Sequence, residues 1–326
     1  MNAGATRQRF LIIKAKGGFG NRMLSATTGI VLARISGRTP VVDWRDGEYL
    51  PRGKNSYPLL FEDPVGVDPS LFDTRTDVTP SIWSGRLASH PTDVISQSYP
   101  NSHRSPFVYH KLSINLRNPG VSVEPVAVFW SYLPKLLRLR RQAKRVTEFR
   151  GMVMDDVTRT VLEEHFTPNE RVRAQVEAVL DGLSSPTIGV HVRYTDRKVS
   201  LTRIMREVRR LRSSVPQSAI FLATDNANVR DAFCREFANV HSIDKAFGDN
   251  DNSLHEGVVL DDPLREAENA LVDMWALAHC DWLVHSRHST FSVAAALIGG
   301  TPQSRQIDID RWNPRVVVKR WIQTWA

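Results

Sequence analysis

The chain has 326 residues, of which 41% are hydrophobic and 24% are charged, and its formal net charge is +8. This length suits two domains of ordinary size, and two cysteines are too few for a disulfide framework or a cysteine-rich zinc site. No run of about 18 apolar residues occurs, which excludes a membrane-spanning helix.

The positive charge is concentrated in two runs, residues 135–145 and 203–212. Such runs are usually solvated helix faces, and neither contains the interleaved aromatic side chains that nucleic-acid binding favours. We therefore expect no nucleic-acid partner, while peripheral association with an anionic membrane surface stays open. Because a chain with two cysteines suits a reducing compartment, we expect a cytoplasmic protein, with the inner-membrane surface as the open alternative.

The first predicted elements are a strand over 9–15, a glycine loop, a helix to about Ser36 with Gly37 as its C-cap, and a strand over 39–44. The loop, KGGFGNRM (16–23), matches neither a P-loop nor a complete dinucleotide fingerprint. It is either a structural tight turn or a place where backbone N–H groups and a helix N-terminus face an anion.

Between about 47 and 126 the hydrophobic periodicity is lost, and we predict an irregular insertion of long loops and short elements. Two helices, about 128–141 and 169–183, are predicted to bridge the halves of the chain. The domain boundary is placed near residue 180.

Strand and helix patterns alternate through the second half of the chain. This alternation predicts a parallel sheet with helices on both faces. The strands are predicted at 186–192, 218–225 and 281–286, and the helices at 201–211, 226–237, 268–280 and 289–300.

Four polar loops directly follow predicted strands, where open α/β folds bind their ligands. All four carry groups suited to a phosphate or a sugar. They are 16–22, 193–198, 224–228 and 286–290.

The strongest single candidate in these loops is Arg193, because a guanidinium at a strand end matches phosphate oxygens bidentately. His191 lies on the same side of the strand, but a hydrogen-bonded core histidine is the more common role. Asp225 and Asn226 suit either a ribose or base contact or a helix N-cap.

The second group of candidates lies nearer the C-terminus. Ser289 and Thr290 begin a predicted helix and suit either an N-cap or a diphosphate site. Asp273 lies within an otherwise apolar helix and therefore needs a partner, either in a loop or at Arg193.

In combination, these blocks resemble the α-1,6-fucosyltransferase family, and within it the rhizobial nodulation-factor (NodZ-like) fucosyltransferases. The resemblance rests on GFG after the first strand, GRTPVVDWR, IGVHVRYTD, FLATDN and ALVDMWALAHCDWLVHSRHSTFS. It covers residues 9–62 and 160–300 well and the region between them poorly.

The resemblance implies an α/β, GT-B-like fold in which two Rossmann-type domains face a central cleft. Residues 1–180 would form the acceptor-side domain, 181–310 the GDP-sugar domain, and 311–326 a helix packing back on the first domain. Catalysis would be inverting and metal-independent, moving fucose from GDP-fucose to a hydroxyl of a bacterial glycan. The implied donor-site residues are Gly18, Gly20, Asn21, Arg22, His191, Arg193, Asp225, Asn226, Asp273, Ser289 and Thr290.

The sequence departs from this family after Arg193, where it has neither the glycine nor the glutamate that the family uses to activate the acceptor. Asp196 is the first candidate for the missing base and Asp46 the second. Two alternatives stay open. One is a GT-B transferase for another nucleotide sugar or acceptor, and the other is a non-catalytic protein that binds nucleotides or glycans.

Overall fold

A computed structural model describes residues 8–103, 105–194, 200–245 and 262–325 of the chain. These residues form two compact units. The first comprises 8–17, 21–166 and 321–325, and the second comprises 18–20 and 167–320. The proposed division into acceptor-side and donor-side domains stays a prediction.

The first unit contains a parallel sheet and mostly short helices. Its strands are β1 (Phe10–Lys14), β2 (Thr39–Asp43), β3 (Val78–Thr79) and β4 (Val126–Trp130). Its helices are α1 (Phe19–Ser36, of which Phe19 and Gly20 belong to the second unit), α2 (Tyr57–Leu60), α3 (Pro91–Ser98), α4 (Pro106–Tyr109), α5 (Leu136–Ala143) and α6 (Met154–His165).

The sheet of the first unit has the order β2-β1-β4-β3, and every adjacent pair is parallel. The helix predicted over 128–141 is therefore wrong in its first part, because 126–130 is the strand β4. Its five residues are all buried; all of them pair with β1, and Val126 and Ala127 also pair with β3, which is the environment of a central parallel strand. A short continuous apolar run does not distinguish that environment from a buried helix.

The second unit follows the predicted alternation closely. Its strands are β5 (Thr187–Val192), β6 (Ala219–Thr224), β7 (Val240–His241), β8 (Trp282–His285) and β9 (Gln306–Asp308). Its helices are α7 (Glu170–Asp181), α8 (Leu201–Ser214), α9 (Ala227–Glu236), α10 (Pro263–Ala278) and α11 (Thr290–Ile298). The last helix of the chain is α12 (Pro314–Trp325).

The sheet of the second unit has the order β7-β6-β5-β8-β9, again with parallel neighbours. After β5, the chain places β6 and then β7 on one side of it, and afterwards places β8 and β9 on the other side. The strand order thus reverses between β5 and β8, and ligands of such folds bind beyond the carboxyl ends of the strands at this point. The loops after β5 and β8 are those that contain Arg193 and Ser289.

The core of the second unit contains mainly aliphatic side chains from the sheet and from α8 and α9, including Val190, Ile204 and Leu222, which are at most 1% exposed. In the described part of the chain, no helix combines the length and the apolar character needed to cross a bilayer.

Candidate functional site

A cavity of about 350 Å³ lies in the second unit, at the switch point of its sheet. This volume is at the lower end of the range for small-ligand sites. Polar side chains from β5, α8 and the loop after β8 predominate in its lining. The lining residues are His191, Arg193, Ser200, Arg203, Ser286, His288, Ser289, Ile309, Asp310, Asn313 and Val316.

Two arginines supply positive charge to this cavity. Arg193 directly follows β5, and Arg203 lies in the first turn of α8. Arg203 Nη1 donates a hydrogen bond of 2.8 Å to the carbonyl of Ile309, which fixes its guanidinium beside the cavity. Two guanidinium groups at one cavity are suited to a phosphate or diphosphate.

Ser289 occupies the N-cap position of α11, yet its side chain makes no capping hydrogen bond. Its hydroxyl oxygen is buried and has no hydrogen-bond partner among the described residues. Because buried hydroxyls are usually hydrogen-bonded, this one is suited to contact a polar ligand. The hydroxyl lines the same cavity as the arginines, at a helix N-terminus that favours an anion.

Gly20 packs against the first turn of α11. A Cβ atom at Gly20 would lie 2.3 Å from the backbone nitrogen of Phe291 and 2.3 Å from the carbonyl carbon of Thr290. No side chain fits at such distances, so this glycine is required by close backbone approach. Gly20 therefore lies against the helix end at which Ser289 lies.

Asp225 and Asn226 lie in the loop after β6, and each has a hydrogen-bond partner within the protein. Asp225 accepts a 2.8 Å hydrogen bond from the backbone N–H of Tyr194, which connects this loop to the one that follows β5. Asn226 is buried and caps α9 by accepting a 3.1 Å bond from the N–H of Val229. Asn226 was expected to contact either the ribose or base or to cap a helix, and in the structure it caps α9.

Replacing Asn226 by alanine should lower the free energy of unfolding by about 1 kcal/mol, because the N-cap bond is lost. Asn226→Ser should retain most of the stability, since serine also caps. Urea unfolding of the three proteins checks this order. A serine variant as unstable as the alanine variant would show that the cap is not what stabilises α9.

Asp273 is buried in α10, and its partner is Lys245, whose ammonium group binds one carboxylate oxygen. Burial raises the pKa of Asp273, and the charge of Lys245 opposes that rise. The other oxygen, Oδ1, is buried and has no partner among the described residues. A buried carboxylate oxygen without a donor suits the N–H groups of a ligand.

Arg22 and Asp46, predicted as a donor contact and a candidate base, form a buried pair in the first unit. Arg22 donates from Nη1 to one Asp46 oxygen at 3.1 Å and from Nη2 to the other at 2.6 Å. Its guanidinium lies over the rings of Trp44 and Tyr49, 5.4 and 4.9 Å from their centroids. Both groups are thus held by neighbours within the first unit.

His191 lies at the end of β5, and its ring stacks on Phe291 with centroids 5.1 Å apart. Burial lowers its pKa to about 3, and the charges of Arg193, His285 and Lys245 act in the same direction. In the unfolded chain the pKa of histidine is about 6.5. The imidazole is therefore neutral at pH 7, and the positive charge of the cavity comes from the arginines.

This depressed pKa predicts acid sensitivity. The unfolded chain binds the proton more strongly, so the free energy of unfolding should fall as the pH drops from about 6.5 towards 3, by up to about 1.4 kcal/mol per pH unit for this group. The stability is fully present above 6.5. His191→Gln, which does not titrate, should have a shallower pH dependence in urea unfolding at pH 7 and pH 5. An equal slope in both proteins would contradict this account.

The cavity thus brings together three of the predicted site residues, His191, Arg193 and Ser289. The other described candidates are not among its lining residues, and Asp196 lies outside the described residues. Sequence reasoning missed Arg203, which it assigned to a solvated helix face. Its place in the first turn after a strand-end loop was the available signal. Within the described ranges, no cluster of three or more His, Cys, Asp or Glu side chains is arranged to hold a metal ion.

Comparison with known proteins gives consistent matches. A family model described as "Nodulation protein Z (NodZ)" matches residues 145–323. Nodulation protein Z of Bradyrhizobium diazoefficiens is 25% identical over 311 residues, covering 87% of this chain and 77% of that protein. Nodulation protein Z of Azorhizobium caulinodans is 24% identical over 309 residues, covering 87% of each.

Among solved structures, a crystal structure of NodZ α-1,6-fucosyltransferase soaked with GDP-fucose has a TM-score of 0.65 at 22% identity. The match covers 89% of this chain and 92% of the other. At this identity the likeness shows the fold. It confirms the α/β, GT-B-like class with Rossmann-type units that the sequence predicted.

Proposed function

The chain belongs to the nodulation protein Z family, as the sequence resemblance predicted, and from that premise we propose that it transfers fucose from GDP-fucose to a hydroxyl group of a bacterial glycan. The family model covers more than half of the chain. The solved relative that was soaked with GDP-fucose has the same fold over nearly all of its length.

The observation that carries the proposal is the cavity of the second unit. It combines two guanidinium groups, Arg193 and Arg203, with the Ser289 hydroxyl, which has no partner among the described residues and lies at a helix N-terminus. These are donors for the oxygens of a diphosphate. Gly20 would contribute through its backbone, because only a glycine can approach this helix end so closely.

We assign the nucleoside end of the donor to Asp273, with Asp225 and Asn226 as further contacts. Guanine presents an N–H and an amino group on one edge. Oδ1 of Asp273, which no described residue contacts by a hydrogen bond, is an acceptor for them. Uracil and cytosine do not present this pair of donors. The proposal therefore includes preference for a guanine nucleotide.

In the proposed reaction, the acceptor hydroxyl attacks the anomeric carbon of fucose while the bond from that carbon to the β-phosphate oxygen breaks. GDP leaves with the electron pair, and the configuration is inverted. Arg193, Arg203 and the N-terminus of α11 would stabilise the developing negative charge without a metal ion. As the base we retain Asp196 rather than Asp46, because both carboxylate oxygens of Asp46 are bonded by Arg22.

A thermal-shift screen tests the nucleotide assignment. GDP and GDP-fucose should raise the melting temperature, because a ligand that binds only the folded protein stabilises it. UDP, which shares the diphosphate but not the guanine edge, should raise it less, and CMP, which has a single phosphate and no guanine edge, should have little effect. Equal shifts with all four nucleotides would contradict the base preference, and no shift with GDP would contradict the proposed function.

Release of GDP from GDP-fucose should continue in the presence of EDTA. The arginines and the helix end would supply the positive charge that a divalent ion supplies in other transferases. Turnover that requires added Mn²⁺ would overturn the metal-independent mechanism and leave the donor assignment intact.

We also propose that the protein works in the cytoplasm, on an acceptor at the anionic surface of the inner membrane. Support comes from the net charge of +8 and from the two basic runs. We specify the acceptor only as a glycan with a free hydroxyl group.

A further inference from the structure

The two sides of α12 have different environments. On the inner side, Val316 is 9% exposed and lines the cavity of the second unit, as does Asn313 just before the helix. On the outer side, Val317 and Val318 are 51% and 55% exposed, and Trp321 is 65% exposed one turn later. Opposite the side that lines the cavity, the helix therefore presents an apolar face that the described residues leave exposed.

Helical spacing places these exposed side chains together. At 100° per residue, positions 317, 318 and 321 fall within an arc of about 100° centred roughly opposite position 316. Trp312, 83% exposed, directly precedes the helix and adds a second indole to the surface. We call Trp312, Val317, Val318 and Trp321 the outer face.

The charges within this segment of the sequence are of one sign. From Arg311 to the end of the chain the sequence has four basic residues and no acidic one. Arg311 lies over the ring of Trp312, 5.1 Å from its centroid, and Arg315 is exposed at the start of the helix.

Exposed tryptophan and valine with flanking basic residues match the chemistry of a helix that lies in the interface of an anionic bilayer. Tryptophan favours the level of the headgroups, while lysine and arginine are attracted to anionic lipids. A second copy of the chain fits less well, because its own outer face carries the same positive charge and the molecule has a net charge of +8.

We propose that the outer face of α12 docks the protein on an anionic lipid bilayer. The lipid binding itself is independent of the proposed function. Its purpose rests on that function, because docking would bring the donor cavity to an acceptor held at the membrane. Because Val316 and Asn313 line that cavity from the same segment, docking would hold the donor site close to the lipid surface.

Co-sedimentation with vesicles tests the docking. The full-length protein should sediment with phosphatidylglycerol–phosphatidylcholine vesicles and remain in solution with phosphatidylcholine alone, and high salt should weaken the binding. The double variant Trp312→Ser/Trp321→Ser should bind about tenfold more weakly, since two interfacial anchors are lost. Arg311→Gln/Arg315→Gln should also weaken binding.

Matched controls exist elsewhere on the surface. Val121 and Val123 are 75% and 83% exposed, and Val121→Ser/Val123→Ser should bind like the wild type. Arg206→Gln/Arg210→Gln removes two exposed charges from α8 and should have a smaller effect than the α12 charge variant. Quenching of wild-type tryptophan fluorescence by brominated lipid in the anionic vesicles gives a readout that needs no variant.

Several results would overturn the docking. The wild type could fail to sediment with the vesicles, or it could bind neutral vesicles equally well. Binding could also survive the loss of both tryptophans, or the wild type could form a dimer that the tryptophan variant abolishes. The GDP thermal shift keeps the two proposals separate. A tryptophan variant that loses vesicle binding but keeps its GDP shift supports docking as a separate property. Vesicle binding through α12 without any GDP shift would support docking and reject the proposed function.

Discussion

Replacing Arg193 by alanine should weaken GDP binding about 100-fold and abolish fucosyl transfer. A guanidinium–phosphate pair contains charge-assisted hydrogen bonds that contribute about 1.5–3 kcal/mol each, and about 2.7 kcal/mol corresponds to 100-fold in affinity. The loss in transfer should be larger, because the charge on the leaving diphosphate grows in the transition state. Calorimetry with GDP and a fucose-release assay measure the two effects.

The matched control for this variant is Arg210→Ala on α8. The Arg210 side chain is 74% exposed and pairs with Glu207, so its removal should change neither affinity nor transfer. Arg193→Lys should be intermediate, since lysine keeps the charge but not the planar fork. GDP affinity that is unchanged in Arg193→Ala would place the diphosphate elsewhere.

Replacing Gly20 by alanine should destabilise the second unit by about 3 kcal/mol and impair GDP binding as well. The added methyl group would meet backbone atoms of Thr290 and Phe291 at 2.3 Å, and backbone cannot move aside as a flexible side chain can. Relief requires the glycine loop or the first turn of α11 to shift, and Ser289 lies at that turn. Urea unfolding and calorimetry with GDP measure the two effects.

Gly120→Ala is the control for the glycine substitution. A Cβ at Gly120 would meet nothing within 4 Å, and its backbone has no positive φ that would strain an alanine. It should unfold and bind GDP like the wild type. If Gly20→Ala behaves as Gly120→Ala does, the close approach to α11 is not a feature of the protein in solution.

The alternating half of the fold could be predicted from sequence because its signals are local. β5 and β6 are largely apolar runs, α9 has its N-cap at Asn226, and α1 ends at Ser36, directly before Gly37, whose φ is +62°. The strand β4 could not be recognised in the same way. Only its pairing with β1 and β3 distinguishes its apolar run from a helix, and that pairing is not local.

The site was predictable where one residue type at a strand end already determines the chemistry. Arg193 was predicted in this way and Ser289 from its place at a helix start; both line the cavity, and their roles stay predictions. Arg203 was missed because its neighbours in sequence are basic and solvated, so its pattern is that of a surface helix. Its contribution depends on the hydrogen bond to the carbonyl of Ile309, 106 positions away in the chain. The partner of Asp273 is likewise Lys245, which no local pattern identifies.

We propose above all that the cavity of the second unit holds the diphosphate of GDP. A crystal structure of the full chain with GDP tests it most directly. We predict β-phosphate oxygens within hydrogen-bond distance of the Arg193 guanidinium and the Ser289 hydroxyl, with the guanine edge on Oδ1 of Asp273. GDP bound without contact to Arg193 and Ser289 would contradict the account.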